Sequence, residues 1–206
     1  MRRRRHGIAV IGMAIAISAA MLGLSTVPAS AANPSMLTKS QVRKALLTLK
    51  EIKTVSGVPV TADSVECHHN PYLAGTYVNY CYFTVLGSDA AFTAGRLWPN
   101  HVDIISFESS KVARAYIKDM LTTRTTSVVL RSSPYTAIFY DKDGFITTPA
   151  DSSGQVGNSK APTVSVFSYR GSNAVYTACT DPKATGPAAL AKCATDLAKA
   201  QLKKLG

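Results

Sequence analysis

The segment PTVSVFSYRGSNAVYTACTDPKATGPAALAKCATDLAKAQLKKLG, residues 162–206, decides the fold class. Its first half holds two alternating, β-branched and aromatic runs, PTVSVFSY and AVYTAC, separated by RGSN. Two such runs around a short Gly-containing connection predict a β-hairpin, so the sheet is antiparallel at this point. Its second half is rich in Ala, Leu and Lys. Pro187 sits near the first turn, where a helix tolerates it. Leu190, Ala194, Leu197 and Leu205 share one face with Cys193 beside them, and the terminal lysines suit the negative pole of a helix.

Working back from the hairpin, the same two patterns recur. T38-K-S-Q41 is a capping box, and Val42, Ala45, Leu46, Leu49 and Ile52 follow at helical spacing until Gly57 and Pro59. This predicts one helix packed on the core. Residues 65–77 contain Asn70-Pro71 and Gly75 and read as a loop. TYVNYCYFTVL (76–86) reads as a central strand with Tyr77, Asn79, Cys81, Phe83 and Val85 on one face, and HVDIISFE (101–108) as a second strand. Ser109 or Ser110 caps a helix over SKVARAYIKDMLTT, whose stripe is Val112, Ala115, Tyr116, Met120 and Leu121. TSVVLR and YTAIFYD are strands, and Asp141-Lys-Asp143-Gly144 is a turn that returns the chain through FITT. Residues 149–162, rich in Ser, Gly and Asn, read as a mobile loop. Helices interspersed with sequence-adjacent strands predict an α+β domain: a mainly antiparallel sheet packed with helices.

The N-terminus sets the compartment. Arg2 to Arg5 precede an apolar run over 8–24, and Ala29-Ser30-Ala31-Ala32 ends it. A basic start, an apolar middle and an A-x-A end predict a secretory signal peptide over residues 1–31, cleaved after Ala31 or Ala32. A short leader over 32–37 and a single domain over 38–206 follow, so the expected location is secreted or extracellular, with no stable membrane anchor. About 175 residues are enough for one real core.

The formal net charge is +11, or +7 without the four signal arginines, and the excess is spread along the chain. Outside the cell such a surface meets anionic envelope components rather than nucleic acid. It also keeps a secreted monomer soluble.

Cys67, Cys81, Cys179 and Cys193 all lie in the predicted mature chain. An even count in an exported chain argues for disulfides. Three connectivities are possible. Equal spacings of fourteen positions favour Cys67 with Cys81 and Cys179 with Cys193. Pairing also removes thiolates from the zinc-like run Cys67-His68-His69, and adjacent histidines on an extended chain point opposite ways. We therefore assign no metal site.

LTKSQVRKALLTL, FESSKVARAYIKDM and NAVYTACTDPKATGPAALAKCATDLAKAQLKKL together resemble small extracytoplasmic sensor-type domains of actinobacteria. The best-known relatives are the extracellular sensor domains of mycobacterial-type membrane serine/threonine kinases. The resemblance implies an α+β sandwich, two disulfides and a ligand cleft. Those domains carry a Trp near a central Cys, whereas Trp98 has no Cys beside it. Only the cysteines carry over.

Chemistry is sparse. G-x-S-x-G is absent, and nothing selects a catalytic set from His68, His69 and His101. Asp141 and Asp143 begin like a calcium loop, but the closing Glu is missing. No phosphate-cradling loop or cofactor motif is present, so no cofactor is expected. RLWPNH places Arg96, Trp98 and His101 just before a strand, where they are candidates to hold a small aromatic or anionic ligand. The expected function is a secreted, non-catalytic, sensor-like binding protein for a small ligand or envelope component. One alternative is an inhibitor or interaction protein that inserts residues 151–160 into an extracellular protein partner. A hydrolase with a scattered triad is the other.

Overall fold

The computed structural model describes residues 36–72, 76–87, 97–124, 126–150 and 156–206. The predicted signal peptide and Arg96 lie outside them. The described residues form four helices: α1 (Lys39–Ala45), α2 (Leu49–Ser56), α3 (Ser110–Thr123) and α4 (Ala188–Lys204). They also form seven strands: β1 (Val60–Tyr72), β2 (Thr76–Gly87), β3 (Trp98–Ser106), β4 (Val128–Ser133), β5 (Thr136–Ala150), β6 (Val156–Arg170) and β7 (Asn173–Thr180). All seven belong to one antiparallel sheet in the order β1-β2-β3-β7-β6-β5-β4. The α+β class holds.

The β6–β7 hairpin forms where RGSN predicts it. Arg170 pairs with Asn173, and Gly171 turns the chain at φ 58°. A positive φ is cheap only without a Cβ. The long β3–β7 pairing then closes the sheet, with Val102 opposite Thr177 and Ile104 opposite Val175. Alternate residues of these strands face opposite layers.

One layer is α1, α2 and α4. Val42, Leu46, Ile52, Leu190, Ala194 and Leu197 bury against Val102, Ile104, Val164, Val166 and Val175. Both disulfides form as predicted. Cys67 and Cys81 face each other across β1 and β2 with Cα atoms 4.2 Å apart. Cys179 and Cys193 tie β7 to α4 across 6.1 Å. Thr177 Oγ1 donates to the Ala194 carbonyl at 2.7 Å and adds a polar tie between the same elements. The other layer is α3, where Phe107, Ala113, Tyr116 and Ile117 pack on Ala137, Phe139, Phe167 and Ala174.

Four expectations need correction. The first helix is two. Leu46 has ψ 144°, and Thr48 starts α2 with its own capping box to Glu51. The break is held from far away. Gln201 Oε1 accepts from Leu47 N–H at 2.9 Å, Gln201 Nε2 donates to Ala45 O at 2.7 Å, and Lys204 Nζ donates to Leu46 O at 2.8 Å. Backbone groups freed at the break are thereby satisfied inside the fold.

The predicted loop before β2 is largely strand β1. As the sheet's edge, β1 needs only one neighbour, so Pro71 costs no ladder bond on its open side. DKDG is not a turn: β5 runs through it with a register shift between Asp141 and Gly144. Asp143 N–H donates to Asp141 Oδ1 at 3.0 Å. A Cβ on Gly144 would lie 2.4 Å from Thr163 Oγ1, so β5 and β6 approach here only because position 144 has none. Consequently residues 156–162 of the predicted mobile loop are strand β6, while 151–155 lie outside the described residues. Finally, the α3 stripe is Ala113, Tyr116 and Ile117, with Val112, Met120 and Leu121 partly buried. Ala115 faces solvent.

Candidate functional site

The site follows from the register of β3, β7 and β6 on the α3 side of the sheet. Asp103 lies opposite Tyr176, which lies opposite Phe167. His101 lies opposite Ala178, which lies opposite Ser165. α3 packs on Phe167 and Ala174, Tyr176 packs against that cluster, and His101 and Asp103 continue the same strand face beside it. A central-strand face is thus apolar under the helix and polar beyond it.

The groups there are tightly interlocked. The Tyr176 ring stacks on Phe167 with centroids 4.6 Å apart, and the His101 ring lies 5.5 Å from Tyr176. Arg124, the C-cap of α3, lays its guanidinium over Phe167 at 4.7 Å, Phe139 at 5.5 Å and Tyr176 at 5.9 Å. A planar cation on ring faces is a favourable, oriented contact. Ser165 Oγ is 3.5 Å from the Tyr176 hydroxyl. The end of α3 therefore delivers one cation to an aromatic platform built from three strands.

Electrostatics follow from depth. Burial and then the nearby Arg124 charge hold the His101 imidazole down at about 4, so it is neutral at pH 7. Burial pushes the Asp103 carboxyl well above the usual carboxylate range. Burial likewise raises the Tyr176 phenol. Yet His101, Asp103 and Tyr176 each retain some residue surface. Their ionisable groups are deep but the residues are not sealed. Asp103 Oδ1 is buried with no hydrogen-bond partner among the described residues, and both polar atoms of Asn100 are in the same state. A buried carboxyl oxygen without a partner is costly in an apolar setting and calls for an explanation.

The sequence-derived candidates separate. His101 is in this cluster. Trp98, three positions before His101 at the start of β3, is fully buried with Ala161, and its ring is part of the interior. Arg96 is not among the described residues. His68, on β1, is 3.2 Å from Glu66 Oε2 at the far edge of the sheet. Asp103, Tyr176, Ser165 and Arg124 were missed. The alternation His101-Val-Asp103-Ile is a legible signal of a strand with a polar face, whereas Arg124 carries none.

A serine hydrolase needs its His bonded to its Ser. Here Tyr176 is the neighbour of both His101 and Ser165, two strands apart, and no His101–Ser165 bond is made among the described residues. Among the described residues no three His, Cys, Asp or Glu groups could hold a metal ion. Residues 156–160, half of the segment suggested to insert into a partner, are ordered in β6 against β5.

No family model matches the chain, and no curated protein matches it. Among solved structures it is similar to the extracellular domain of PknH from Mycobacterium tuberculosis, a domain of the kind that the sequence resembles. The two are 12% identical, the match covers 82% of this chain and 98% of that one, and the TM-score is 0.45.

Proposed function

We propose that the chain is a non-catalytic, sensor-like extracellular binding protein whose small ligand lies on the His101–Asp103–Tyr176 face. One observation carries the reading: Asp103 Oδ1 is buried without a partner among the described residues, beside His101 and Tyr176, residues that keep some surface although their ionisable groups are deep. A ligand donor would complete it. The Tyr176 hydroxyl, Ser165 and neutral His101 offer further hydrogen bonds, and the Arg124 cation suits an acidic or polar ligand edge. The two disulfides support an oxidising, extracellular setting.

The test pairs native mass spectrometry of protein purified from culture medium with the variant Asp103→Asn. The expected wild-type spectrum carries an added small mass, and Asp103→Asn loses it while melting at a higher temperature. Loss of ligand with gain of stability marks a functional group kept at a cost. A wild-type spectrum without added mass, together with an Asp103→Asn variant that is less stable, would assign Asp103 to the architecture and sink the reading.

A further inference from the structure

The charge that is dispersed along the sequence is gathered by the fold. The layer of α1, α2 and α4 carries Lys39, Arg43, Lys44, Lys50, Lys53, Lys192, Lys199, Lys203 and Lys204, against the carboxylates Glu51 and Asp196. All nine cations are exposed. Among the described residues only Lys192, Lys199 and Lys204 form ion pairs. Eight of the nine are lysines, compact point charges that suit a diffuse anionic surface better than one planar bidentate partner.

A groove opens within this layer, between α2 and α4. It has a volume of about 680 Å³ and an apolar floor from Leu47, Val55 and Ala200. Lys50 and Lys203 stand on its rim. Lys204 is held there by Glu51 at 2.7 Å. An apolar floor with Lys50 and Lys203 on its rim, beside Thr48, Thr54 and the Glu51–Lys204 pair, matches the chemistry of an anionic amphiphile, because lysine stems cover apolar surface while their heads stay with charge. A soluble polyanion would use the charge and leave the slot empty.

We infer that the helical layer docks onto an anionic phospholipid surface, with Lys50 and Lys203 at the headgroups and the groove over Leu47, Val55 and Ala200 seating an acyl segment. Screening then governs the contact: it weakens as the Debye length falls with added salt.

The experiment is co-sedimentation of the exported protein with vesicles of phosphatidylglycerol or of phosphatidylcholine. Binding is expected to the first alone and to fall with salt. The double variant Lys50→Glu/Lys203→Glu is expected to lose about tenfold or more in affinity. Arg114→Glu/Lys118→Glu, an equal charge change on α3, is expected to keep it. Val55→Asp, which puts a carboxylate in the groove, is expected to weaken binding as well. Thermal melts of each variant separate lost binding from lost fold. Equal binding to both lipids overturns the inference. So does equal loss in the α3 variant, or complete displacement of the vesicles by polyglutamate of matched charge.

Discussion

The two faces of the sheet are made from alternating residues of the same strands and have opposite characters. On the face under α1, α2 and α4, Val102, Ile104, Val164, Val166 and Val175 meet Leu190 and Leu197, while one disulfide staples β1 to β2 and the other ties β7 to α4. On the other, α3 packs on a second apolar cluster with Phe139, Phe167 and Ala174, and beside it β3 contributes His101 and Asp103 and β7 contributes Tyr176. The first face is a core. The second gives up apolar burial along one row and holds a neutral imidazole, a carboxyl oxygen without a partner among the described residues and a guanidinium on aromatic rings. Apolar burial therefore holds both sides of the sheet, while the polar chemistry is confined to one row on the α3 side.

That contrast can be broken or sharpened by measurement, starting with the dry face. Leu197→Ala, at a fully buried site, is expected to cost about 4 kcal/mol in urea unfolding. A loss below about 1 kcal/mol would mean that α4 is not the main lid of the core. Replacing Cys179 and Cys193 by Ser removes the staple between β7 and α4 and should cost roughly 3 kcal/mol, with a similar figure for Cys67 and Cys81. If either pair proved silent, its role in holding this face would be withdrawn.

The polar face should respond to pH instead. His101 titrates at about 4 in the fold and at 6.5 unfolded, so between those values the unfolded chain binds the extra proton. Its cost is absent above pH 6.5, grows as the pH falls from 6.5 towards 4 and is complete below 4. The stability of wild type relative to His101→Phe should thus drop by about 3 kcal/mol from pH 7 to pH 4. Comparison with the variant removes the opposing effect of Asp103, whose raised carboxyl favours the fold at low pH. A flat difference would place His101 in water.

A smaller effect is expected for Arg124→Ala, about 1 kcal/mol, from losing its contacts with three rings. Lysine at 124 should restore only part of it, because an ammonium cannot lie flat on the stack. Full rescue by lysine would reduce the contact to charge alone.

Legibility followed the range of the interactions. The Thr38–Gln41 box, the Gly171 hairpin and the span of α3 are written in neighbouring residues, and each formed where expected. The Thr48–Glu51 box was equally local but was absorbed into a longer helical pattern. What splits that pattern is Gln201, more than 150 positions away. β1 and the far half of β5 contain breakers and owe their extended form to strands beside them. Of the candidate site, His101 was visible as a polar residue before an alternating strand, while its companions come from β6, β7 and the end of α3. Trp98, three positions before His101, is instead in the interior.

By itself the sequence determined the α+β class, the antiparallel hairpin, the Thr38 cap and the span of α3, and it favoured the two disulfide pairs, because each depends on patterns or spacings within a short stretch. The tertiary structure alone decided which strands neighbour β3, and so which side chains meet at Asp103. It also decided that charges scattered from Lys39 to Lys204 share one layer. Those outcomes rest on contacts between residues far apart in the chain, for which register and packing, not local propensity, fix the partner.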